Sequence, residues 1–370
     1  MRFTVNKYDF EKAIVPVSII AQSKAAESTL NGIYIEASDG KLTLYCYDIE
    51  KGIKTVIDAT VYEPGKIVAD SQLVPIVHSM PDGEIELVSD QNNAIKLSCG
   101  EANFQILGKS AENYPEMPEI KGHTSFTMTR KQFKNIINKT SFCICKDDTN
   151  PILKGSLFEI KNNTISVCAI DGIRIAVRTE KSSVDNPDLN ISFILPGRAQ
   201  QNILRIMEDN DSELHLELGN KHLIVIMDNL YIMSRLLEGE FPRYERFIPE
   251  YILKTVVDRD ALINSLERVA IINEKLHNNA KLHFANDTLK ISCETEVGKV
   301  NDLIPVHMDG EAAEVLFKQT FLIEALKNCE NEKVLLRVAE NGRGMVIKAT
   351  EEDENEESGY LYLVMPVRGR

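Results

Sequence analysis

The sequence predicts an α+β fold built from three copies of one domain, each with two helices packed on antiparallel sheet. Three observations predict it. One order of elements returns 123 residues after its first appearance and then a third time. The presumptive strands are joined by turns rich in Asp, Asn and Gly, the signature of hairpins rather than of parallel crossovers. A chain of 370 residues divides into two or three domains at roughly 150 residues each, so three short repeats fit.

The first copy opens with Phe3-Thr4-Val5, a short strand, and continues into a helix with Phe10, Ile14 and Val17 on one face. The second repeats this as Phe126-Thr127-Met128 with Phe133, Ile136 and Ile137. In the third, Thr255-Val256-Val257 precedes Leu262, Leu266 and Val269. A strand pair follows each helix. Its turns are Ser38-Asp39-Gly40, Lys161-Asn162-Asn163 and Asn286-Asp287. Second helices over 71–80, 198–207 and 320–328 then lead to alternating strands at Glu84-Ile85-Glu86-Leu87, Glu213-Leu214-His215-Leu216 and Lys333-Val334-Leu335-Leu336. Domains are expected over 1–120, 126–249 and 250–370, with the first boundary after the Pro-rich Tyr114-Pro115-Glu116-Met117-Pro118.

Composition narrows the class. Hydrophobic residues at 43 % and charged residues at 26 % describe a soluble globular protein. Apolar runs fall far short of the ~20 residues that span a bilayer, and the N-terminus lacks a signal peptide, so a cytoplasmic location is expected. The seven cysteines are scattered, and Cys143 and Cys145 enclose one residue instead of the two of a zinc knuckle, which predicts reduced, mostly buried thiols. No Gly-rich phosphate loop and no HExxH occur. Asn341-Gly342-Arg343-Gly344 reads as a turn between strands, and Ser38-Asp39-Gly40-Lys41 matches SxxK only on a hairpin turn. The acidic run 351–357 reads as a solvated loop. No catalytic residue, metal or cofactor is expected.

Forty-two Lys and Arg against 56 Asp and Glu give a net charge of −14, which taken whole argues against a nucleic-acid partner. The distribution argues otherwise. The six expected helices with their flanking residues, 7–20, 69–80, 129–140, 197–208, 258–272 and 318–328, hold twelve basic and eight acidic residues, so they carry +4 and the remainder of the chain −18. Lys12, Lys131, Lys134, Arg198, Arg205, Arg268 and Lys327 all point away from the apolar faces of their helices. A basic inner surface on an acidic protein follows. The absence of Trp and the 6 % aromatic content argue against reading bases by stacking.

Five segments, in order along the chain, resemble the bacterial DNA polymerase III beta subunit family, the sliding clamps. They are Met1-Arg2-Phe3-Thr4-Val5, the stretch Pro151 to Glu159, Asp171-Gly172-Ile173-Arg174-Ile175-Ala176, the stretch Ser234 to Tyr244 with Pro249, and Val364-Met365-Pro366-Val367-Arg368. The resemblance implies three domains of sliding-clamp topology with helices inside and antiparallel sheets outside, closed into a ring by two chains head to tail. It implies a non-enzyme that encircles double-stranded DNA without reading sequence and tethers the replicative polymerase. Lys24, on a loop that contacts DNA in the family, joins the seven helix cations as a channel residue.

The resemblance also implies a cleft for short peptides of the polymerase alpha subunit, clamp loader subunits, repair polymerases, ligase and mismatch-repair proteins. By local match its walls are Leu153, Ile170, Gly172, Ile173, Arg174, Ile175, Pro242, Phe247, Leu363, Met365, Pro366, Val367 and Arg368. Without the resemblance, Leu153, Ile175 and Leu363 read equally as core strand positions. Several positions depart from the family pattern. Ile173 stands where relatives often have His, Phe321 where many have Tyr, and Lys318 where many have Asn. Lys24 replaces Arg, and Ser71 and Gln72 replace basic residues, so a weaker DNA grip by the first domain is expected. The competing readings are an acidic three-repeat scaffold that binds proteins only and an enzyme whose site is assembled from scattered residues.

Overall fold

The computed structural model describes all residues except 22–31, 119–123, 148, 187, 274–278, 297, 341–342, 352–357 and 368–370. The described residues form six α-helices: α1 (Lys7–Ala21), α2 (Leu73–Ser79), α3 (Arg130–Asn138), α4 (Gly197–Ile206), α5 (Arg259–Asn273) and α6 (Gln319–Asn328). Each of the three repeats contributes two of them. The strands form four sheets of five, eight, nine and four members, and every pairing between them is antiparallel. No helix among the described residues is long and apolar enough to cross a membrane.

The turns take the shapes that their residues favour. Asp39, Gly40, Asn162, Asn163, Asn286 and Asp287 all have φ between 48° and 70°. Positive φ at both central residues is the turn that matches the right-handed twist of paired strands, and Asn, Asp and Gly tolerate it best. The predicted apolar faces are inside: Phe10, Ile14 and Val17 on α1, Phe133, Ile136 and Ile137 on α3, and Leu262, Leu266 and Val269 on α5 are all buried. Each such side chain removed from water contributes about 2 kcal/mol. The second helix of the first repeat is shorter than expected, because Asp70 and Ser71 form a turn whose carbonyls accept from Leu73 and Val74.

The chain divides into two compact units, Met1–Arg130 with Arg198–Leu236, and Lys131–Gly197 with Leu237–Arg370. This division cuts through the second repeat, and sheet pairing is the reason. In the first unit, strand Lys51–Asp58 pairs with Leu230–Arg235, fusing strands of the first and second repeats into the eight-stranded sheet. In the second, Arg174–Lys181 pairs with Gly359–Val364, fusing the second and third repeats into nine strands. The core of the second unit lies on the inner face of that sheet. It joins Ala169 and Ala176 to Leu262, Leu266 and Val269 of α5, Leu322 and Leu326 of α6, and Leu282 and Phe284 of the four-stranded sheet.

Candidate partner cleft and basic helix faces

The other face of the nine-stranded sheet carries the predicted cleft residues. Register opposes Leu157 to both Ile194 and Cys168, Val177 to Cys168 and Leu361, Ile175 to Ile170 and Leu363, and Leu363 to Val346. Directly opposed residues share a face, so these side chains form one apolar strip across the junction of the two repeats. Ile170, Ile175, Val177 and Leu363 are its buried floor. The segment 237–248 crosses the strip, with Phe241 buried and Leu237, Tyr244 and Ile248 packed against it, and Ile152 and Leu153 approach from the short 3-10 turn Pro151–Lys154. Burial pushes the Tyr244 phenol up to about 12 and raises the Cys168 thiol. All seven cysteines are buried and unbridged, so none is placed to react.

The strip is not sealed. Phe247 is 54 % exposed, Ile173 44 % and Met365 36 %, three large apolar side chains standing beside a buried apolar floor. The N–H of Met365 donates to the carbonyl of Ile173 at 2.9 Å, and the N–H of Val367 donates to that of Leu316 at 2.9 Å. These bonds fix Met365-Pro366-Val367 as an extended edge. Pro366, Val367, Pro242 and Leu153 are half-buried.

A tight turn presents Ile173. The Oδ1 of Asp171 accepts from the N–H groups of Ile173 at 3.0 Å and Arg174 at 2.7 Å, and Gly172 has φ +86°, where a side chain would be strained. The Arg174 side chain was expected on the cleft wall, but it is buried behind it. Its guanidinium donates to Asp171 Oδ2 at 2.9 Å, to Glu324 of α6, and to the Phe142 carbonyl at 3.1 Å, and lies 4.1 Å from the centre of the Phe321 ring. Burial draws its pKa down, but the bond to Glu324 leads the opposing effects and the net shift is upward. Arg174 holds the Ile173 turn in place from below.

The structure therefore brings together Leu153, Ile170, Gly172, Ile173, Ile175, Pro242, Phe247, Leu363, Met365, Pro366 and Val367, with Arg174 supporting them. Arg368 lies outside the described residues. The core reading of Ile175 and Leu363 is compatible with the cleft reading, because the cleft's floor is the outer layer of a buried strip. Sequence reasoning did not name Phe241, Val177, Ile194, Val346 or Leu361. The alternating strand pattern marks Val177, Ile194, Val346 and Leu361 as inward on one face or the other, but only register tells which, and Phe241 lies on the crossing segment outside any strand.

The helix cations fall into two groups. Lys12 on α1 and Arg198 and Arg205 on α4 are exposed, with no carboxylate within ion-pair distance among the described residues. Arg268 on α5 instead donates to Asp302 at 2.8 Å, a bond that lowers the Asp302 pKa, and Lys327 on α6 meets Glu267 on α5 at 2.8 Å. Two of the predicted channel cations are thus neutralised by neighbours in the chain. Lys131 is exposed and Lys134 half-buried on α3; Lys24 lies outside the described residues.

Sequence models of the N-terminal, central and C-terminal domains of the DNA polymerase III beta subunit match residues 1–118, 127–243 and 245–368. The chain belongs to the DNA polymerase III beta subunit family. Among curated relatives, the beta sliding clamp of Chlamydia muridarum is 24 % identical over 100 % of this chain and 99 % of its own length. That of Staphylococcus epidermidis is 25 % identical over the same shares. The crystal structure of the DNA polymerase sliding clamp from Bacillus subtilis superposes with a TM-score of 0.93 at 25 % identity, covering all of both chains. The fold is the three-domain sliding-clamp fold of this family, with antiparallel sheets and paired helices.

Proposed function

We propose that this protein is a DNA sliding clamp, a homodimeric ring that encircles duplex DNA and tethers the replicative polymerase, with no chemistry of its own. The observation that carries the reading is end-to-end membership of the beta subunit family in all three domains, with relatives named as sliding clamps. It supports this reading over an acidic scaffold that binds proteins alone. The three domains, 1–120, 126–249 and 250–370, act in the cytoplasm without a cofactor.

Two features support the ring. The five-stranded sheet ends on Ala102–Leu107 and the four-stranded sheet on Lys299–Pro305, and both edge strands expose large apolar residues, Phe104 and Leu107 on one and Leu303 on the other. Unpaired edges of this kind invite pairing with another chain. Two different edges on one chain suit a head-to-tail contact that closes when its rotation allows. The charge distribution suits the hole. Lys12, Lys24, Lys131, Lys134, Arg198 and Arg205 meet phosphates without base contacts, so the ring slides, and the acidic remainder repels other DNA. Arg268 and Lys327, already paired, contribute less.

The cleft on the nine-stranded sheet receives short apolar peptide segments from the polymerase alpha subunit, clamp loader subunits, repair polymerases, ligase and mismatch-repair proteins. Met is suited to such varied occupants because its side chain is flexible and polarisable. Retention on DNA tests the function. Clamps loaded on nicked circular plasmid are expected to stay bound through gel filtration in salt and to be lost when the plasmid is linearised. Equal retention on both forms contradicts encirclement.

A further inference from the structure

Lys318 stands immediately before α6, is exposed, and holds its Nζ 4.6 Å from the centre of the Phe321 ring. The guanidinium of Arg174 lies 4.1 Å from the centre of that ring. These two cations differ in one respect. Arg174 is buried and already engaged by Asp171 and Glu324, whereas Lys318 has no carboxylate within ion-pair distance among the described residues. Asp171 and Glu324 are held by Arg174. The cation–π contact restrains the ammonium without neutralising it.

Its position borders the cleft. Strand Ala313–Phe317 leads into Lys318, and Leu316 on that strand accepts from the N–H of Val367. On the other side of the same extended segment Met365 bonds to Ile173, and the next residue, Arg174, covers Phe321. Lys318 thus lies on the α6 side of Met365-Pro366-Val367, beside an apolar floor that carries no charge of its own. No side chain caps the N-terminus of α6 at Lys318, so the positive end of the helix dipole adds to the same potential.

We propose that Lys318 is a specificity-determining residue, selecting partner peptides that carry an aspartate or glutamate next to their apolar anchors. This rests on the cleft reading and goes beyond it by assigning the charge of the occupant. The apolar strip binds any suitable hydrophobic pair, whereas the exposed Lys318 ammonium at its edge attracts a carboxylate and repels a basic flank. An asparagine there would offer only neutral hydrogen bonds.

The test is fluorescence anisotropy with the full chain and two fluorescein-labelled hexapeptides sharing one leucine–phenylalanine anchor pair. One carries a flanking aspartate and the other asparagine. The aspartate peptide is expected to bind about two- to fivefold more tightly, the range of an exposed ion pair. That preference shrinks at about 0.5 M salt, where the Debye length falls to a few ångströms. It disappears in Lys318→Asn and survives in Lys318→Arg. A preference that is absent in the wild type, or equally large in Lys318→Asn, overturns the proposal. Met365→Ala separates the two levels. If it weakens both peptides alike, the cleft reading stands and the Lys318 result decides on its own. If neither peptide binds, or Met365→Ala changes nothing, the cleft reading fails and the selectivity proposal falls with it.

Discussion

The two junctions between repeats are built alike and finished differently. In each, a strand of one repeat pairs with a strand of the next, and the chain segment that follows the earlier repeat crosses the outer face of the fused sheet. At the first junction that segment seals the face. Tyr114 packs on Tyr34 and Tyr45 at centroid distances of 5.6 and 5.5 Å, and Ala111 and Met117 fill in around Met233. The Tyr114 hydroxyl donates to the Gly32 carbonyl at 3.1 Å and accepts from the Tyr47 N–H at 3.3 Å, so its polar atom is satisfied inside. Gly52 makes room, since a Cβ there would lie 3.1 Å from Met117 Cε. At the second junction the crossing segment buries Phe241 but leaves Tyr244 and Ile248 only partly covered and Phe247 outside. The strands do not decide whether a junction is closed or open; the crossing segment does.

The contrast is open to direct attack. Its largest expected consequence is in stability: Tyr114→Ala should cost about 3–5 kcal/mol, the range for truncating a buried aromatic, and Tyr244→Ala clearly less. Urea unfolding of both variants measures this, and equal losses would remove the distinction between a sealed and an open junction. Next in size, Met365→Ala combined with Pro366→Ala should weaken binding of polymerase and clamp loader peptides about tenfold while changing stability by less than about 0.5 kcal/mol. A surface that matters for binding but not for folding is what an open junction means. Smallest, Gly52→Ala should destabilise by about 1 kcal/mol, because the flexible end of Met117 can shift but the face it packs on is full. No measurable cost would show slack at the first junction.

Much of the fold was legible because its signals are local. Phe10, Ile14 and Val17 declare a helix face by spacing alone, and Asn162-Asn163 declares its turn by tolerance for positive φ. The cleft was legible only through the family resemblance. Its floor is assembled by register between strands far apart in the chain, and no local pattern tells that Val177 faces Leu361. Two side-chain roles also depended on distant partners. Arg174 reads as an exposed cation until Glu324, 150 positions away, is found beneath it, and Arg268 reads as a free DNA contact until Asp302 is.

The sheet fusions also set a timetable for synthesis. Thr179 pairs with Gly359, so strand Arg174–Lys181 waits for a neighbour 180 residues further along the chain. At about 5–20 residues per second, the ribosome leaves that edge uncovered for on the order of ten seconds or more. Over that interval the free edge of this strand is an open, unpaired template beside exposed apolar side chains, and the nascent chain depends on being kept apart from its own kind. Completion of this central pairing removes that hazard by covering the waiting edge.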